Sequence, residues 1–221
     1  MPEQLTLALG HVEHFGREDF LEGPSNAAAL SLVERWPDWP ARIVALVGPE
    51  GSGKSHLATI WALASGARIV AARALSEDAV PGALATGALV LEDVAGGAID
   101  ERVLFHLLNL AREESAYLLV TARTPPASWP VAIADLASRL RALPVVTLSP
   151  PDDALLRAVI VKLCADRQLV VDDGLVNFLI TRIERSFAAA RRAVETLDRE
   201  ALRQQRPITR ALAAGLFRTA T

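Results

Sequence analysis

Two rhythms of apolar residues divide the chain. Through residues 42–149, short branched runs alternate with stretches whose apolar positions recur every three or four residues; beyond that only the second rhythm remains. Ile43-Val44-Ala45-Leu46-Val47, Arg68 to Ala72, Ala88-Leu89-Val90-Leu91, Tyr117-Leu118-Leu119-Val120-Thr121 and Val145 to Leu148 predict five strands. Most are continuously apolar, as parallel strands covered on both faces are. Between them, helices are predicted from Ala27 to Trp36, from Lys54 to about Ala64, from Asp100 to Glu114 and over Asp135–Arg141. In the third of these Val103, Leu104, Leu107, Leu108 and Ala111 share one face. Leu75 to Leu84 reads as a weak helical connector interrupted by Pro81. Ser25 or Asn26 would cap the first helix, Trp36-Pro37 would end it, and Gly66 would stop the second. Strand–helix alternation of this kind implies an α/β fold around a parallel sheet.

Ser149-Pro150-Pro151 marks the change of rhythm and serves as a hinge. Only helices are predicted after it, near 152–167, 172–184, 187–203 and 208–217. The expected organisation is an N-terminal peptide (1–14), an α/β domain (15–149) and a small all-helical domain (150–221).

The first strand runs into Gly48-Pro49-Glu50-Gly51-Ser52-Gly53-Lys54-Ser55, the full G-x-x-x-x-G-K-[ST] pattern in a strand–loop–helix context. Its glycines let the loop fold back so that N–H groups point inward at phosphate oxygens, and the next helix adds its positive end. Lys54 is placed to meet β- and γ-phosphates, and the Ser55 hydroxyl to ligate Mg²⁺. Lysine is otherwise scarce: Lys54 and Lys162 stand against 21 arginines, so Lys54 is no ordinary surface charge. The third strand ends in Glu92-Asp93, a Walker B pattern. One carboxylate there holds Mg²⁺ through water, and the next orients or deprotonates an attacking water. Thr121 ends the fourth strand, where a hydroxyl senses a γ-phosphate, positions water or simply caps a turn.

Composition narrows the class. With 51% hydrophobic and 22% charged residues the chain is globular, and it has no apolar run long enough to cross a membrane. Met1-Pro2-Glu3-Gln4 lacks the start of a signal peptide, and the single cysteine, Cys164, fits a reducing cytoplasm. Net charge −3 and a pI near 5.8 argue against autonomous DNA binding. Residues 182–210 nevertheless carry eight arginines against four acids, either a solvated face or a surface for phosphates or an acidic partner. Gln4-Leu5-Thr6-Leu7-Ala8-Leu9 reads either as an edge strand or as a peptide that docks in another protein's groove.

Specific residues carry a resemblance. Phe20-Leu21-Glu22-Gly23-Pro24-Ser25-Asn26 matches an F-x-x-G-x-S-N box, and Gly48 to Leu57 matches a Walker A region down to His56 and Leu57. Thr124-Pro125-Pro126 and Leu136-Ala137-Ser138-Arg139-Leu140 are similar as well. Together they resemble the AAA+ ATPases related to the bacterial replication initiator DnaA, and most of all the short Hda branch of regulatory inactivators. The resemblance implies a P-loop AAA+ core with a five-stranded parallel sheet and a helical lid. It implies ADP or ATP with Mg²⁺, held by Phe20, Leu21, Gly48, Glu50, Gly51, Ser52, Gly53, Lys54, Ser55 and His56, with Ser55 and Glu92 on the metal. The lid's sensor arginine falls near Ala189 in an ungapped comparison; Arg191 or Arg192 in a slipped register, or no arginine at all, are the alternatives. Gln4, Leu5, Leu7 and Leu9 would bind the DNA polymerase III sliding clamp. Arg139 would be an arginine finger that completes the ATP site of DnaA in trans, with Glu92, Asp93 and Thr121 as the chain's own catalytic set. The initiator's DNA-binding domain has no counterpart up to Thr221, so sequence-specific DNA binding is not expected; homo-oligomerisation stays open. The family's first Walker B acid is usually aspartate, and Glu92 in its place implies slow intrinsic turnover. The implied function is stimulation of ATP hydrolysis on DnaA. Two other readings stay open: a self-contained ATPase such as a helicase loader, and a docking module that nucleotide only stabilises.

Overall fold

The computed structural model describes residues 15–95 and 97–217. Five strands are present among them: β1 Ile43–Val47, β2 Arg68–Ala71, β3 Ala88–Glu92, β4 Tyr117–Ala122 and β5 Val145–Thr147. They form one all-parallel sheet in the order β2-β3-β4-β1-β5. Leu46 lies opposite Thr121, and Leu91 opposite Val120. That register brings the carboxyl ends of β1, β3 and β4 together, where open parallel sheets place their ligands.

Five helices cover the sheet: α1 Ala27–Glu34, α2 Lys54–Ser65, α3 Val80–Leu84, α4 Glu101–Glu113 and α5 Ala134–Arg141. Side chains alternate across each strand. Ile43, Ala45, Val47, Leu89, Leu91, Leu118 and Val120 pack with Leu84, Leu104, Leu107, Leu108, Leu136 and Leu140 on the α3–α4–α5 side. Val44, Leu46, Val90 and Leu119 pack with Leu30, Val33, Leu57, Ile60 and Trp61 on the α1–α2 side. All five residues of β1 are buried, and its Ile, Val and Leu side chains are each worth roughly 1.5–3 kcal/mol by area transfer. The edge strands differ for a physical reason. Having one neighbour each, β2 and β5 leave Arg68, Ile69, Val145 and Thr147 exposed.

The remaining helices are α6 Asp153–Asp166, α7 Asp173–Ile180, α8 Phe187–Gln204 and α9 Arg210–Leu216. They bury their own apolar cluster, with Leu156, Ile160, Leu175, Leu179, Val194 and Leu197 at its centre. Cys164 lies in this cluster, and burial pushes its thiol up to about 11, so it behaves as a small apolar side chain. Asp152, Asp172, Ser186 and Thr209 each accept a bond from a backbone amide three residues on, capping α6 to α9 at about 1 kcal/mol apiece.

Three local expectations shift. Helix α1 ends at Glu34, two residues early, and Asn26 does not cap it with its side chain. Pro81 starts α3 instead of interrupting it, because a first-turn proline gives up only an amide without a helical partner; two 3-10 turns, Ala72–Ala74 and Glu77–Ala79, precede it. Helix α7 stops at Ile180, and the following residues lead into the Ser186 cap of α8. Gln4, Leu5, Leu7 and Leu9 lie outside the described residues.

Candidate functional site

The loop after β1 is anchored where it leaves the strand. The Gly48 amide donates to Ala122 O at 3.1 Å, and the Leu148 amide to Val47 O at 2.7 Å. Gly48 must be glycine, since a Cβ there would lie 2.6 Å from the Leu148 carbonyl oxygen. Gly51 and Gly53 take φ of +71° and +97°, the region side chains avoid. Lys54 is buried, and its Nζ donates to Gly48 O at 2.9 Å and Pro49 O at 2.8 Å. Burial holds this ammonium below the ordinary lysine value; Asp93 offsets part of that and Arg123 adds to it. Ser55 is exposed at the start of α2, while the Ser52 hydroxyl is buried without a partner.

Across from the loop, Glu92 ends β3 half-buried, and its Oε1 is buried without a hydrogen-bond partner. Asp93 leaves the strand at φ 56° and is exposed. A left-handed residue costs about 1–2 kcal/mol, least for Asp and Asn. Thr121 holds that turn: its Oγ1 accepts from the Asp93 amide at 3.0 Å and its carbonyl from the Val94 amide at 2.9 Å. The buried Thr121 hydroxyl oxygen thus helps shape the acidic turn, and its O–H stays a donor.

The F-x-x-G-x-S-N box forms the next wall. Asn26, 2% exposed, binds backbone at both ends of its amide: the Gly23 amide donates to Oδ1 at 2.9 Å and Nδ2 donates to Leu21 O at 3.0 Å. This is why it does not cap α1. The loop so shaped presses Phe20 edge-on against His56, at 5.2 Å between ring centres, and Phe15 flanks the imidazole at the same distance. His56 Nε2 donates to Gly16 O at 3.0 Å. Burial keeps its imidazole below the ordinary histidine value, against the opposing pull of the Gly16 carbonyl and Asp19.

A cavity of 270 Å³ opens between this box, the P-loop and the C-terminal helices. Phe20, Leu21, Gly53, His56, Val159, Leu163, Phe187 and Arg191 line it with four further charged residues, Asp19, Lys162, Asp166 and Arg167. Its size is near the lower end of small-molecule sites. Helix α8 touches the P-loop directly. The Phe187 amide donates to Gly51 O at 2.9 Å, and a Cβ on Gly51 would lie 2.9 Å from Ala188 Cβ. Ala189, where the sensor arginine falls in an ungapped comparison, is buried in that first turn. Arg191 lines the cavity and stacks on Phe15 at 5.3 Å. Arg192 is about 100° further round the helix, exposed, and 4.0 Å from Glu184, so the structure separates the two arginines.

Arg139 belongs to a different surface. On α5, its Nε and Nη2 both donate to Asp135 Oδ2 at 3.1 Å and its guanidinium lies 5.2 Å from the centre of the Phe105 ring. Glu50 is exposed and pairs with Arg123 at 2.8 Å. Sequence reasoning passed over Arg123, Asp19 and Phe187. Lys162, whose rarity was the available signal, bridges Asp19 at 2.7 Å and Asp166 at 2.9 Å across the cavity wall. Burial pulls its ammonium down, but the two carboxylate bonds outweigh it and leave the pKa raised.

The arrangement fits a nucleotide with Mg²⁺: a loop with no room for a Cβ at Gly48 and Gly51, two buried oxygens without partners, Ser52 Oγ and Glu92 Oε1, and a buried lysine. No protein-family model matches the chain. An uncharacterized protein of Haemophilus influenzae is 28% identical over 225 residues, which cover 95% of this chain and 96% of that one. Among solved structures, domain III of the Thermotoga maritima replication initiation protein DnaA aligns with a TM-score of 0.72 at 18% identity, covering 91% of this chain and 95% of that one. AMPPCP-bound DnaA from Aquifex aeolicus aligns at 0.62 and 17% identity, covering 85% of this chain and 68% of that one. The Thermotoga maritima RuvB Holliday junction branch migration motor aligns at 0.70 and 17% identity, covering 91% and 70%. The fold is therefore the one that these DnaA and RuvB structures share, and the alignment takes in nearly all of the initiator's domain III.

Proposed function

We propose that the chain is an ADP- or ATP-binding regulator of replication initiation of the Hda kind, acting on DnaA with the DNA-loaded sliding clamp. The observation that carries this reading is Arg139. Its contacts, Asp135 and Phe105, lie on α4 and α5 and not at the chain's own P-loop. Asp135 takes the Nε edge, which leaves N–H donors of the guanidinium open to phosphate oxygens from another subunit. An arginine supplied in trans raises phosphoryl-transfer rates by about 10³–10⁵ in other NTPases. The likeness to DnaA domain III supports a subunit that can stack against DnaA.

In this reading the chain's own nucleotide sits with its base in the 270 Å³ cavity and its phosphates on residues 48–55, with Lys54 as their cation. Mg²⁺, when bound, neutralises phosphate charge. Ser55 and Glu92 would hold it. Gln4, Leu5, Leu7 and Leu9 are assigned to the clamp by sequence resemblance alone.

The test uses purified chain, clamp loaded on DNA, and ATP-loaded DnaA. Arg139→Ala is expected to abolish conversion of DnaA to its ADP form; conversion at the wild-type rate sinks the mechanism. Deleting residues 4–9 is expected to remove clamp binding and leave ADP affinity intact. The likeness to the RuvB motor favours a second reading, a self-contained remodelling ATPase. Steady-state hydrolysis by the chain alone, lost on Glu92→Ala or Asp93→Ala, would establish that one instead.

A further inference from the structure

We infer that Lys162 is a clasp: by bridging Asp19 it holds α6 against the Phe20 box and so sets how fast a nucleotide enters and leaves the cavity. The inference rests on the nucleotide reading and adds to it the control of exchange. Helix α6 meets the box along one face. Near its start Leu155 packs against Gly23, where a Cβ would lie 2.8 Å from Leu155 Cδ2. Two turns further on, Lys162 Nζ donates at 2.7 Å to Oδ1 of Asp19, the residue before Phe20. Val159 between these contacts, and Leu163 and Asp166 beyond them, line the cavity. A base seated there has the box on one side and α6 on the other. The gap between them stays narrow at that end while the bridge holds.

The two contacts differ in kind. The one at Leu155 is apolar and adjoins the hinge at Ser149-Pro150-Pro151, where the Ser149 amide donates to Ser25 O at 3.1 Å. A swing about that hinge moves Leu155 little. Lys162 stands about 14 Å along α6 from its first residue, at 1.5 Å per residue, and moves much more. The bridge is also made to part and re-form. Asp166, one turn along the same helix, takes another N–H of the ammonium at 2.9 Å, so Lys162 keeps a carboxylate and its direction when Asp19 lets go. Side-chain exposures of 26% for Lys162 and 22% for Asp19 set the pair between a surface bridge of little strength and a buried one whose loss is severely destabilising. Such a contact keeps the gap shut most of the time and still opens. It uses no group of the nucleotide, so it gates capture and release alike.

Stopped-flow kinetics with a fluorescent ADP analogue on the full chain test this: binding gives the capture rate, and a chase with unlabelled ADP gives the release rate. Lys162→Met is expected to speed both about fivefold and to leave Kd within about twofold. Asp19→Asn should do the same, and the double variant should be no faster than either single one. Lys162→Arg, which keeps a cation of similar reach, should stay within about twofold of wild type. Unchanged rates in both single variants overturn the clasp. So does faster release with Kd weakened by the same factor, which would make Lys162 an ordinary binding residue, and so do effects that add in the double variant. Melting curves check that each variant folds; if Lys162→Met does not, Asp19→Asn alone decides. Lys54→Ala is the separate control: if it binds the analogue as well as wild type, the nucleotide reading itself fails.

Discussion

Gly51 and Gly66 make a matched pair for weighing the contact between lid and P-loop. Both have φ of +71°, but a Cβ on Gly66 would meet nothing within 4 Å, whereas one on Gly51 would lie 2.9 Å from Ala188 Cβ and 3.0 Å from Ser186 Cβ. Alanine at either site costs about 1–2 kcal/mol for the left-handed backbone. At Gly51 the overlap with α8 adds about 1–3 kcal/mol, as overpacking does elsewhere. Gly51→Ala should therefore cost about 3 kcal/mol and Gly66→Ala about 1.5 kcal/mol, read from urea unfolding followed by circular dichroism. In a chain of this size that separates their melting temperatures by roughly 3–6 °C. Ala188→Gly placed behind Gly51→Ala should return about 1 kcal/mol, and behind Gly66→Ala nothing beyond its own cost. If the two alanine variants are equally unstable and Ala188→Gly is additive in both, α8 does not pack on the P-loop as described.

The other outcomes are as follows. His56 is held below its ordinary value of 6.5, so the unfolded chain binds its proton first; stability should be flat above about pH 7 and fall as pH drops through 6.5. Melting curves at about pH 5.5–7.5 should show that slope, and His56→Gln should remove it. Arg191→Ala should weaken binding of a fluorescent nucleotide about tenfold while Arg192→Ala leaves it unchanged, because only Arg191 lines the cavity; the reverse order would refute that placement. Cys164, with its thiol pushed up to about 11 and its side chain buried, should resist a thiol reagent at about pH 8 until urea unfolds the chain.

The sheet was legible because its central strands are buried on both faces and so carry little but apolar residues. The order of the strands was not, since nothing in Ile43–Val47 says which neighbours it takes; that follows from how the crossing helices cover the two faces. The P-loop and the acidic strand end could be read from spacing because backbone geometry fixes their residue types. The cavity could not. It is assembled from the Phe20 box, α2, α6 and α8, and Lys162 and Arg191 reach it from helices whose sequence shows only amphipathic repeat. Asn26 was misread for a related reason. Its position before a helix signals a cap, but its amide is taken by Gly23 and Leu21 within the same loop.

The first turn of α8 packs directly on the P-loop. In it, Phe187 donates a backbone bond to Gly51 O, Ala188 packs against the loop at Gly51, and Ala189 is buried. An arginine side chain has no room at Ala189 unless the turn moves away. The lid is therefore coupled to the P-loop by shape and one backbone bond, and any change in the loop at Gly51 passes directly to the N-terminus of an 18-residue helix. On this packing, Ala189→Arg should fail to improve triphosphate affinity and should loosen the lid, lowering the melting temperature as Gly51→Ala does. A gain in triphosphate affinity with unchanged stability would mean that the lid had room for a sensor after all.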